Sequence, residues 1–126
     1  MKPEEFLDLA KNIVNANSNQ AQIRTSISRI YYSVFLESRE LFISMGAKFS
    51  KSANVHKEVE DLIKNSGCNG NDAYKESNLL FNLRKMRNEA DYDLPDKFSF
   101  SDVEDALKYS GEILNYLHSG KFKKIP

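Results

Sequence analysis

The stretch RTSISRIYYSVFLESRELF, residues 24–42, reads as helix along its whole length. Ile23, Ile27, Ile30, Val34, Leu41 and Met45 recur at spacings of three, four and seven, which is one face of a helix. Tyr31, Phe35 and Phe42 widen that stripe. A stripe this wide serves more than one neighbour, so the segment from about Gln20 to Met45 is expected to be the central helix of the fold. Gly46 suits a left-handed cap at its end.

Outward from this segment, the helical period persists and no alternating strand pattern appears. A first helix is expected over about Pro3 to Asn15. Pro3 fits the first helical position, and Phe6, Leu9, Ala10, Ile13 and Val14 form its apolar stripe. NANSNQ breaks it, because Asn and Ser side chains compete for the backbone. A third helix, about Asn54 to Asn65, carries Val55, Val59, Leu62 and Ile63, and Gly67 closes it. A fourth runs from about Asp72 to Tyr92 with Leu79, Leu80, Leu83, Met86 and Ala90 inward, and Pro95 bars its continuation. A fifth begins in SFSDVE, where Ser101 and Glu104 have capping-box spacing. It buries Val103, Ala106, Leu107, Ser110, Ile113, Leu114 and Leu117, and Gly120 ends it. Short links between amphipathic helices favour an all-α, antiparallel up-and-down bundle. The expected organisation is one domain over residues 1–120 and a short basic tail, KFKKIP, over 121–126.

Composition narrows the function. The chain has 126 residues, enough for one core. Hydrophobic residues make up 40% and charged residues 29%, an ordinary globular mixture. Lys+Arg and Asp+Glu balance at 18 each, so any nucleic-acid contact has to come from a local patch. No apolar run is long enough to span a membrane. MKPEEFLDLA has no signal-peptide core, and the lone Cys68 forms no internal disulfide, so a cytoplasmic setting is expected.

Two patches carry chemistry. In LRKMRNEADY, residues 83–92, Arg84, Arg87 and Asp91 fall within a sector of about 60° on the helix. Leu83, Met86 and Ala90 sit beside that sector, so it borders the core. One reading is a half-exposed salt bridge between Arg87 and Asp91. The other is a guanidinium held by a carboxylate so that its planar fork can address phosphate. In RTSISRIYYSVF, residues 24–35, Arg24, Ser28 and Tyr31 share one side, and Ser28, Tyr32 and Phe35 form the next row. These groups are either an aromatic core layer or the lining of the Arg87 cleft. His56 is either a packing residue or a distant candidate for acid–base work. His118 suits a helix C-terminus. The chain has no paired histidine, Glu-x-x-His or cysteine spacing for a metal, and no phosphate loop, so no metal or cofactor is expected.

RTSISRIYYSVFLESRELF, the lone histidine of NVHKEV and LRKMRNEADYDL, taken together, resemble the HEPN superfamily. They are most similar to a prokaryotic subfamily marked by S-R-x-Y-Y-x-x-F and L-R-x-x-R-x-x-A-D-Y. The resemblance implies a four- or five-helix bundle, commonly a homodimer. It also implies one of two roles. One is an RNA-cleaving effector of a toxin–antitoxin or defence system, working without a metal. The other is a non-catalytic module partnering a small nucleotidyltransferase. The family's arginine and following polar residue match Arg87 and Asn88. Its histidine falls near Tyr92, where this chain has ADY. The implied site is Arg87 for phosphate, Asn88 to position it, Asp91 to orient Arg87 and Tyr92 as a hydroxyl donor. Arg84 and the Arg29, Tyr31 and Tyr32 patch stand in support.

Overall fold

The computed structural model describes residues 2–95 and 97–120. Within them the chain forms α1 (Glu4–Asn12), α2 (Gln20–Ser44), α3 (Val55–Ser66), α4 (Gly70–Tyr92) and α5 (Phe100–Leu117). The helices make the expected all-α up-and-down bundle, and the described residues contain no strand. The tail at 121–126 lies outside the described residues.

Helix α2 packs against all four other helices, as its wide apolar stripe requires. Ile27, Ile30, Tyr31, Val34 and Phe42 on α2 are wholly buried with Val59 and Ile63 of α3, Leu80 and Leu83 of α4, and Val103 and Ile113 of α5. Each large apolar side chain buried this way contributes about 1.5–3 kcal/mol relative to exposure. Serines let the neighbours come close. Ser26 Oγ donates to the Ala10 carbonyl at 3.0 Å, tying α1 to α2, and Ser38 Oγ donates back to Val34 at 2.7 Å.

Several boundaries differ from the sequence expectation. Helix α1 stops at Asn12 and not Asn15, and the chain turns where Asn15 N–H donates to Ser18 Oγ and Asn17 N–H to Asn15 Oδ1. Because α1 meets only α2 among the described residues, it buries a narrow stripe. Ala10 is fully covered and Leu7 packs on the core, while Leu9 points outward. The capping box of α5 uses Ser99 and Asp102, not Ser101 and Glu104: Asp102 Oδ2 accepts the Ser99 N–H at 2.7 Å. Helix α4 starts earlier than expected because Asn69 Oδ1 accepts the first amides, from Asn71 and Asp72. Gly46 does take the left-handed backbone, φ 99°. Gly67 does not, at φ −74°; there a Cβ would sit 2.5 Å from both Ala73 Cβ and the Tyr116 hydroxyl.

The end of α4 is held by a residue from another helix. Arg24 of α2 donates through Nη1 to the carbonyls of Ala90 (3.1 Å) and Glu89 (3.5 Å). Through Nη2 it donates to those of Asp93 (3.0 Å) and Leu94 (3.2 Å). One turn earlier, the Gln20 amide binds both backbone groups of Phe98 in the link to α5. Helix C-termini leave carbonyls without intrahelical partners, and a guanidinium is the side chain whose geometry serves several at once. Arg24→Ala is therefore expected to destabilise the protein by about 2 kcal/mol in urea unfolding. Arg24→Lys is expected to restore less than half of that, because one ammonium cannot span the same carbonyls.

Candidate functional site

The last turns of α4 run beside the first half of α2, and the seam between them gathers the polar residues that both sequence patches contain. Arg87 is its centre. Its Nε lies 2.9 Å from Asp91 Oδ2, an ion pair one helical turn along, and Nη1 donates to Asn88 Oδ1 at 2.8 Å. Nη2 donates to the Tyr32 hydroxyl on α2. The guanidinium carbon stands 4.9 Å from the Tyr32 ring centre, 5.9 Å from that of Tyr92 and 6.0 Å from that of Tyr31. The Arg87 side chain is only 15% exposed. From α2, Ser28 Oγ also reaches Asp91 Oδ2, at 3.4 Å.

The i,i+4 ion pair with Asp91 forms, and the same guanidinium borders the aromatic patch of α2. A surface pair of this kind contributes little alone, but cross-helix ties fix the cation in one geometry.

Arg84, one turn earlier, faces α3. Its Nε is 2.9 Å from Glu60 Oε2 and its Nη2 donates to Glu60 Oε1 at 3.2 Å. The Glu60 side chain is 7% exposed, and burial pushes its carboxyl above the usual range against the pull of Arg84. Arg29 lies to the side, between the rings of Phe6 and Tyr32. Asn88 is exposed, and Tyr92, 71% exposed, covers Arg87 from the solvent side.

The residue that sequence reasoning undervalued is His56, at the start of α3. Its Nδ1 is 2.6 Å from the Tyr31 hydroxyl, and its ring stacks on Phe35 at 4.3 Å and 26°. The Tyr32 ring meets it edge-on at 6.5 Å. Burial lowers the His56 pKa below its ordinary value, and Arg87 and Arg84 lower it further. Tyr31 is fully covered, and burial drives its hydroxyl pKa well upward, so it stays an O–H donor. His118, by contrast, sits at the far end of the bundle, with Nε2 2.9 Å from Glu37 Oε1. Among the described residues there is no cluster of His, Cys, Asp and Glu suited to a metal ion. None of their helices is long and apolar enough to cross a membrane.

The chain matches the family model described as HEPN domain over residues 2–121. It is also similar to an uncharacterised protein of the archaeon Methanocaldococcus jannaschii, 29% identical over 119 aligned positions, covering 82% of this chain and 67% of that relative. No solved structure matches it.

The depressed His56 pKa has a consequence for stability. Below about pH 6.5 the unfolded chain takes up a proton at this position more readily than the folded one. The contribution is therefore complete above that pH and is lost as pH falls toward the folded-state pKa. Urea unfolding at several pH values between 5 and 8 is expected to show stability falling on the acid side. His56→Asn is expected to flatten that slope, and an unchanged slope in the variant would contradict the assignment.

Proposed function

The chain belongs to the HEPN-domain family, and from that premise we propose that it is a cytoplasmic effector of a prokaryotic toxin–antitoxin or defence system that engages RNA at Arg87. The observation that carries this reading is the way the guanidinium is held. Tyr32, Asn88 and Asp91 each hold one of its nitrogens. The remaining N–H groups stay available for paired contacts to phosphate oxygens. A cation fixed before its ligand arrives reorganises little on binding, which is what stabilises charge developing on phosphorus.

In this reading Arg87 binds the phosphodiester and would stabilise the charge that builds up as a ribose 2′-oxygen attacks. Asp91 and Tyr32 orient it, and Asn88 holds its outer nitrogen. Tyr92, exposed and beside the guanidinium, offers a ring on which a base can stack and a hydroxyl donor at the rim. Since the chain carries no net charge, attraction to RNA would be local and would weaken with salt. A homodimer that brings two such sets together fits the same reading.

A second reading has its own support. Tyr92 stands where the family's histidine is expected, and α4 exposes Tyr74, Phe81 and Tyr92 along one face. Those features suit a non-catalytic module that docks on a small nucleotidyltransferase.

Incubating labelled tRNA and mixed cellular RNA with wild type, Arg87→Ala and Arg87→Lys, with and without EDTA, separates the two. The first reading predicts RNA binding and cleavage by wild type, with cleavage reduced at least about 100-fold in Arg87→Ala and not restored by lysine. Folding of each variant is checked by circular dichroism. Equal binding and cleavage by wild type and Arg87→Ala would contradict the assignment. Absence of both from a folded wild type would favour the docking module.

A further inference from the structure

His56 has no part in the scheme above, yet its ring is closely held by the aromatic patch beside Arg87. Phe35 and Tyr31 stack on the ring and Tyr32 meets its edge. The Tyr31 hydroxyl fixes its rotation through Nδ1. That hydroxyl is wholly buried and retains its proton, and Nδ1 is the acceptor within its reach, which selects the tautomer in which Tyr31 donates to Nδ1. The neutral imidazole then carries its own proton on Nε2. Nε2 has no hydrogen-bond partner among the described residues, and it is not among the side-chain atoms sealed from solvent. Arg87 and His56 both border the Tyr32 ring, at 4.9 and 6.5 Å from its centre.

The charged groups around this imidazole are unequal. Helix α4 presents Arg84 and Arg87, the latter paired with Asp91; α2 presents the rings of Tyr31 and Tyr32; and on its own helix Glu60 is engaged by Arg84. Burial first, and then Arg87 and Arg84, keep the resting imidazole neutral. An anion arriving at Arg87 would offset the Arg87 part of that effect.

We propose that His56 is a second phosphate contact of the Arg87 site, presented through Nε2–H, which takes up a proton when a phosphodiester anion binds. This rests on the reading of Arg87 as an RNA contact. It makes the site one permanent cation and one conditional cation, so that the empty site does not carry the repulsion of an imidazolium beside Arg87.

The test is the pH dependence of binding. The probes are a 2′-O-methyl oligoribonucleotide, which cannot be cleaved, and sulfate, whose charge is constant between pH 5.5 and 8. For wild type, the oligonucleotide is expected to bind several-fold more tightly at pH 5.5 than at pH 8, approaching the roughly tenfold limit that a rise of about one unit in the imidazole pKa sets. His56→Asn should still bind through Arg87 but with less than about twofold pH dependence. The imidazole resonances of wild-type His56, followed by NMR, should titrate at higher pH with either probe present, a readout that does not depend on the variant folding. Arg87-dependent binding with equal pH dependence in wild type and His56→Asn would overturn this inference and leave the Arg87 reading standing. Failure of wild type to bind the oligonucleotide at any pH would overturn both.

Discussion

The position of α4 along α2 sets the geometry of everything that faces Arg87, and one side of α2 fixes it. Arg24 takes four carbonyls at the end of α4 and its following turn. One turn along α2, Ser28 meets Asp91; a further turn on, Tyr32 meets Arg87 and Tyr31 meets His56. A slide of α4 by one turn would break the Arg24, Ser28 and Tyr32 contacts together. Apolar packing between helices tolerates small shifts, whereas hydrogen bonds with fixed partners do not. The polar row on α2 therefore acts as a ruler for the bundle, and the apolar row beside it supplies the adhesion.

The two arginines of α4 sit in different electrical settings. Arg84 is matched by a deeply covered carboxylate whose own pKa is pushed up by burial, so that pair is locked into the protein. Removing one partner of such a pair leaves the other charge stranded, which is costly. Asp91, the partner of Arg87, has a side chain 26% exposed, where solvent screens its charge. Both arginines act on His56, and Arg87 is the leading charge effect on its lowered pKa after burial. Arg84 reads as structural and Arg87 as the group available to an anion, although sequence spacing placed them in one sector.

The fold was legible because α2 carries a stripe too wide for one neighbour, and because Gly46 and Pro95 punctuate the chain where backbone geometry demands it. Helix ends were less legible. Ser101–Glu104 and Ser99–Asp102 have the same i, i+3 spacing, so spacing alone does not decide between them; the helix takes Ser99 as its cap. For the site, Arg87, Asp91, Tyr31 and Tyr32 come together, while Arg29 turns toward α1. Periodicity ranks the faces of one helix but does not pair faces of different helices. That is why His56 stood only as a distant candidate and why Arg24 was read as part of a patch and not as a cap on α4. A signal existed for His56 in hindsight: it opens a helix whose buried positions, Val59 and Ile63, lie on the same side.

The central claim is that the Arg87 guanidinium is the point at which this protein meets RNA phosphate. Its most direct test is the Nε–Hε resonance of Arg87, assigned in the folded wild-type protein and followed during titration with a short single-stranded RNA. The account predicts that this resonance shifts with the RNA concentration that saturates binding, while that of Arg39, paired with Glu40 on the exposed side of α2, does not. Saturable RNA binding that leaves the Arg87 resonance unmoved would contradict it.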